Sequence, residues 1–252
     1  MIATDTIPAL SHAEAMRLQA VEFERAVDLL GSIQPDDWSR SVPECPGWDV
    51  LTMYRHVLGA SEAGASFTEN TRQMRRAFAH RRAHGGPLEA ALSAVQIEAR
   101  ASLTPEQVLD GLRAVGPRCV RSRTRLPAPL RRFARMPVDG PVVETWRLGY
   151  LVDTIFLRDL WMHRIDAARV VGRELVLTPE HDGRIVADVV AEWARRHGMA
   201  CTLELTGPAG GSFRTPGAAD AGERHTLDAV ELCRILAGRS SGEGLLATIV
   251  PF

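Results

Sequence analysis

The 252-residue chain contains no lysine; all 30 of its basic residues are arginine. That absence excludes several chemistries at once. A phosphate-cradling P-loop requires its lysine, and a pyridoxal-phosphate enzyme requires a Schiff-base lysine. Protein kinases and Ser-x-x-Lys acyl enzymes need theirs as well. Cysteine is scarce: Cys45, Cys119, Cys201 and Cys233 stand far apart with no CxxC. They read as reduced thiols of a cytoplasmic protein rather than a disulfide framework or a zinc knuckle. No run of 18 uncharged apolar residues occurs, so no transmembrane helix is expected. The first residues, MIATDTIPALSHAEAM, lack the basic and apolar stretches of a signal peptide. Net charge is −1, which leaves no excess of either sign for global binding to nucleic acid or to a membrane surface.

What is present is periodicity. Over residues 12–31, Met16, Leu18, Val21, Phe23, Ala26, Val27, Leu29 and Leu30 form an apolar stripe close to the helical repeat. The loop SVPECPGWDV, punctuated by Pro43, Pro46 and Gly47, leads to Asp49 as the N-cap of a helix expected to run toward residue 82. A shorter helix is expected over 88–101. Thr104-Pro105-Glu106-Gln107 is a capping-box start for a helix to about Thr124. The Pro-rich stretch LPAPLRRFARMPVDGP reads as a connector, and a further helix is expected over roughly 142–171, closed by Gly172. Beyond it the pattern changes. An amphipathic helix over 179–197 precedes an alternating strand at 200–206, with SFRT as a return strand. A helix from Thr226 to Gly238 and a terminal strand LLATIVPF complete the reading. The expected class is α+β: a helical bundle over 12–175, then a small α+β domain over 178–252.

The strongest chemical constellation is RDLWMHRID. Asp159 and His163 stand four apart and share a helix face, and Asp166 adds the i+7 position. A carboxylate and an imidazole one turn apart can chelate a divalent ion. The same spacing also serves a buried Asp–His hydrogen bond or an exposed salt-bridge face. His56 lies near the apolar side of its helix, where a lone histidine is ordinarily a satisfied core residue. Taken together, His56, Asp159 and His163 would supply three ligands from two bundle helices and leave one position open, as catalytic sites do. Three other patterns read as bland. Gly238-Arg239-Ser240-Ser241-Gly242 fits G-x-S-x-G, but a helix precedes it where a nucleophile elbow needs a strand. His80 and His84 end an Arg-rich helix. Residues 113–135 hold eight arginines and no acid, but lack the aromatics of a single-strand nucleic-acid binder.

The segments SVPECPGWDVLTMYRHVLG and LRDLWMHRIDAARVVGREL resemble the two signatures of the mycothiol-dependent maleylpyruvate isomerase family. LELTGPAGGSF and LDAVELCRILAGR resemble that family's C-terminal domain. The resemblance implies a DinB-like four-helix bundle followed by a small, sterol-carrier-like α+β domain. It implies a metal triad of His56, Asp159 and His163, with Asp166 behind it and Arg239 facing the substrate. In the family's characterised member the matching acid is a glutamate, so the aspartate here has a shorter reach. Cofactors so implied are a divalent metal, expected to be zinc, and mycothiol as cosubstrate. The partners so implied are a small-molecule thiol and an electrophile, with no nucleic acid, no membrane, and a monomer or homodimer. The expected activity is isomerisation or S-transfer. The rivals are a hydrolase using metal-activated water and a metal-binding module without catalysis.

Overall fold

Side-chain caps set several of the helix starts in the computed structural model, which describes residues 1–139, 143–217 and 222–252. The chain divides into two units, Ser11–Glu174 and a second made of Met1–Leu10 with Leu175–Phe252.

In the first unit, α1 (His12–Ser32) opens on a capping box: Ser11 accepts from the Glu14 N–H while Glu14 reaches back to Ser11. α2 (Val50–Ala65) starts where Asp49 accepts from the Thr52 N–H at 2.7 Å. The helix expected to continue to residue 82 is two helices. It breaks at Ser66, whose extended backbone ends α2 and whose hydroxyl caps α3 (Phe67–His84) by accepting from Glu69. α4 (Leu88–Glu98) follows, then α5 (Pro105–Thr124) with its Thr104/Gln107 capping box.

The expected connector and helix start are replaced by a short helix and a hairpin. α6 (Ala128–Phe133) leads into β2 (Arg135–Asp139), paired antiparallel with β3 (Val143–Arg147), Met136 opposite Trp146. The helix expected from residue 142 therefore begins at Leu148, because VETWR, which carries the strand formers Val143, Thr145 and Trp146, pairs with β2. Gly140, Pro141 and Val142 lie outside the described residues. α7 (Leu148–Tyr150) runs through a π turn at Leu151–Ile155 into α8 (Phe156–Val171), which ends at Gly172 in the left-handed conformation.

α1, α2, α5 and α8 pack as the bundle, with α3 and α4 laid against α2. Phe23, Leu30, Met53, Leu58, Leu112, Leu157 and Met162 are among its buried apolar residues. Polar cross-links fix how the helices register. The fully buried Glu22 carboxylate on α1 receives the Arg164 guanidinium from α8. Gln19 donates to the Val152 carbonyl and accepts from Arg123, whose guanidinium lies 4.1 Å over the Phe156 ring. A buried ion pair adds little net stability, but removing either partner strands the other's charge.

The second unit carries a four-stranded sheet in the order β1-β5-β4-β6. β1 (Ile2–Ala3), from the chain's first residues, runs parallel to β5 (Gly211–Arg214), which returns antiparallel to β4 (Cys201–Thr206). β6 (Glu223–Asp228) runs parallel to β4. Cys201, Leu203 and Leu205 alternate onto the buried face. α9 (Arg184–His197) and α10 (Ala229–Leu236) belong to the same unit. Two expectations are corrected. The helix expected from Thr226 starts at Ala229, because residues 223–228 pair with β4 and Asp228 then caps the helix, accepting from Val230 and Glu231. LLATIVPF is not a strand. Its first three residues complete a tight turn that begins at Gly244 (Gly244–Ala247), and Val250 buries against α10 with its N–H on the Leu236 carbonyl. Among the described residues, no helix is long and apolar enough to cross a membrane.

Candidate metal centre

His56 comes from the first half of α2, where Val50, Met53, Tyr54, Val57 and Leu58 are buried around it. Asp159 and His163 come from α8, one turn apart, just past the π turn. π turns shift the phase of all that follows in a helix and recur at functional sites. The fold brings the three together: one ligand-competent atom from each lies within 4.8 Å of the others. Asp159 Oδ1 is 3.3 Å from His163 Nε2. The rings of His56 and His163 meet edge to face with centroids 5.7 Å apart. Trp48, on the loop before α2, closes one side at 5.3 Å from the His56 ring.

Burial pushes the His56 imidazole down from its ordinary 6.5 to about 4, outweighing the attraction of Asp159. The ring is therefore neutral across the physiological range, the form a metal ligand requires. Its Nδ1 is buried with no well-formed hydrogen-bond partner among the described residues. Gln96 of α4 lies within reach of the ring and favours its protonated form. Gln96 in turn donates to Gln73, which donates to the Gly59 carbonyl, each at 2.9 Å. Gly59 makes this approach of helices possible, since a Cβ there would fall 2.7 Å from Gln96 Cβ. Sequence reasoning missed Trp48, Gln73 and Gln96. Trp48 was findable, as the aromatic of the loop that leads into the His56 helix.

The remaining candidates fall elsewhere. Asp166 is fully buried, and its carboxylate groups with His163 and Cys45 rather than with His56 and Asp159. Arg239 belongs to the second unit, just after α10, partly exposed, with its N–H on the Arg234 carbonyl at 2.8 Å. His80 and His84 stack on each other at 4.3 Å and join no three-donor group among the described residues. Gly238–Gly242 follows α10, so no nucleophile elbow exists there.

A family model described as the mycothiol maleylpyruvate isomerase N-terminal domain matches residues 20–168, the stretch that holds all three triad residues. The chain belongs to that family. Membership places it in a family named for an isomerase that uses mycothiol. Two solved structures are similar along nearly the whole chain: the mycothiol-dependent maleylpyruvate isomerase and a histidine-to-alanine mutant of it. Each is 16% identical with a TM-score of 0.57, covering 96% of this chain and 93% of its own. At that identity the likeness speaks to fold, and it bears out the α+β reading of a helical bundle followed by a small sheet-containing region. No curated protein sequence matches the chain.

Two imidazoles and one carboxylate suit a first-row divalent ion of borderline softness, zinc or iron(II) among them. The unsatisfied buried Nδ1 of His56 and the ring's low proton affinity fit that use. The residues present therefore fit the implied metal.

Proposed function

We propose that His56, Asp159 and His163 hold a divalent metal ion, zinc, and that the chain is a mycothiol-dependent enzyme performing isomerisation or S-transfer on a small electrophile. The observation that carries this reading is the convergence of three donors from two helices within 4.8 Å. When bound, the ion supplies an electrophilic position that favours a thiol as its thiolate. The chain's own residues do the rest. His56 stays neutral and ready to coordinate. Asp159 supplies one negative charge and leaves a dication with one positive charge uncompensated, which favours an anionic exogenous ligand such as a thiolate. Trp48 shields one side of the site and lowers the polarity around the donors. Family membership supports mycothiol as the thiol. Arg239 is proposed to face a carboxylate of the electrophile through a bidentate guanidinium.

The test is thiol consumption with mycothiol and a panel of electrophiles, maleylpyruvate among them. The reading expects turnover that requires both the thiol and the metal. Metal-dependent turnover without any thiol would make the chain a hydrolase instead. Metal binding with no turnover of any kind would leave it a binding module.

A further inference from the structure

Beside the triad stands a second group of donors that shares His163 with it and adds two residues, Cys45 and Asp166, that the proposed chemistry does not use. Cys45 Sγ, a ring nitrogen of His163 and a carboxylate oxygen of Asp166 lie within 4.8 Å of one another. The loop that carries Cys45 is tightly fixed. Val42 N–H donates to the Trp48 carbonyl at 2.9 Å, Cys45 N–H to Val42 at 3.0 Å, and Trp48 N–H to Cys45 at 2.9 Å. Ser41 and Asp49 bridge its base. The backbone that carries the thiol is thus held by its own hydrogen bonds. Cys45 is half-buried, whereas Cys119, Cys201 and Cys233 are fully buried.

The geometry points to a second cation position, formed by Cys45, His163 and Asp166, that selects thiophilic divalent ions. Charge supports it. A thiolate and a carboxylate neutralise a dication, and the imidazole adds a neutral donor, so the loaded site carries no net charge into a buried setting. Donor type supports it too. The triad offers nitrogen and oxygen only, while this group adds sulfur, which soft ions prefer. On binding, the Cys45 thiol gives its proton to solvent and the sulfur–metal bond forms, with no change of oxidation state. Because His163 is common to both groups, a thiophilic ion held by Cys45 draws on one of the triad's donors. The inference does not depend on the thiol chemistry proposed above.

The probe is Cd²⁺ alone, titrated into the metal-free full chain and followed by sulfur-to-cadmium charge-transfer absorption. The wild type is expected to develop the band with one equivalent. Cys45→Ser should lose the band and bind Cd²⁺ about tenfold or more weakly, the scale of losing a ligand or its support. His56→Ala should keep the band, because His56 is outside this group. Absence of the band in the wild type, or its survival in Cys45→Ser, overturns the site. Loss of the band in His56→Ala also overturns it, by making Cys45 a ligand of the triad's own ion.

Discussion

Gly59→Ala perturbs the centre without touching a ligand. The new Cβ would stand 2.7 Å from Gln96 Cβ, 2.8 Å from Gln96 Cγ and 2.9 Å from Arg100 Nη1. Carbon atoms in contact prefer roughly 3.5–4.0 Å, so α4 must retreat by about 1 Å. Arg100 could swing aside, but Gln96 Cβ moves only with its backbone. Overpacking of this kind costs about 1–3 kcal/mol, and the gain in helix propensity from Gly to Ala returns about 1 kcal/mol. Net destabilisation is therefore about 0–2 kcal/mol, and the fold survives. The larger effect is on the site. The retreat separates Gln96 from His56 and disturbs the Gln73 bond to the residue 59 carbonyl, and loss of such supporting contacts weakens metal binding roughly 10- to 100-fold. The assay is a zinc titration against a chromophoric chelator, paired with a denaturant melt. Zinc affinity within twofold of wild type, with stability raised by the propensity gain alone, would refute the idea that α4 supports His56.

Asp159→Asn keeps the shape but removes the only negative donor of the triad, so zinc affinity should fall by about tenfold or more; Asp159→Glu should retain metal, and the opposite pattern would mark a merely structural hydrogen bond. Tyr54 is fully buried on α2, and burial raises its phenol above the ordinary 10.0. The folded state therefore keeps a proton that the unfolded chain loses, so stability should fall as pH rises past about 10, by up to about 1.4 kcal/mol per pH unit. Denaturant melts from pH 8 to 11 check this, and Tyr54→Phe should flatten that part of the curve. Arg239→Lys keeps the charge but loses the planar fork. Turnover of a carboxylate-bearing electrophile should drop roughly 10- to 100-fold with metal content unchanged, and an equal effect on a neutral electrophile would remove Arg239 from the substrate's surroundings.

Features decided by near neighbours in the chain were legible in the sequence. Asp49, Thr104 with Gln107, and Gly172 mark helix ends through bonds that span a few residues, and each acts as its local pattern says. Pairing between distant segments was not legible. VETWR carries the strand formers Val143, Thr145 and Trp146, but so short a run does not separate a strand from the start of the helix that follows it, and pairing with β2 decides the matter. β6 is likewise made a strand by β4, twenty-two residues away in register. The candidate centre divides the same way. Asp159 and His163 could be read as neighbours from their spacing, and the family resemblance pointed to His56. The i+7 spacing placed Asp166 on the same face as Asp159, yet the fold turns it toward Cys45. That juxtaposition is set by the path of the 41–49 loop, which side-chain spacing cannot report.

The most direct measurement is zinc content of the purified protein, followed by calorimetric titration of mycothiol, in the wild type and in His56→Ala. A metal-holding triad that receives a thiol requires one equivalent of zinc in the wild type and thiol binding that disappears when chelation removes it. Measured in a Cys45→Ser background, so that the second cation position cannot take the ion, His56→Ala should be folded, free of stoichiometric zinc and silent toward the thiol. One equivalent of zinc retained in folded His56→Ala of that background, or mycothiol binding that is indifferent to the metal, would contradict it.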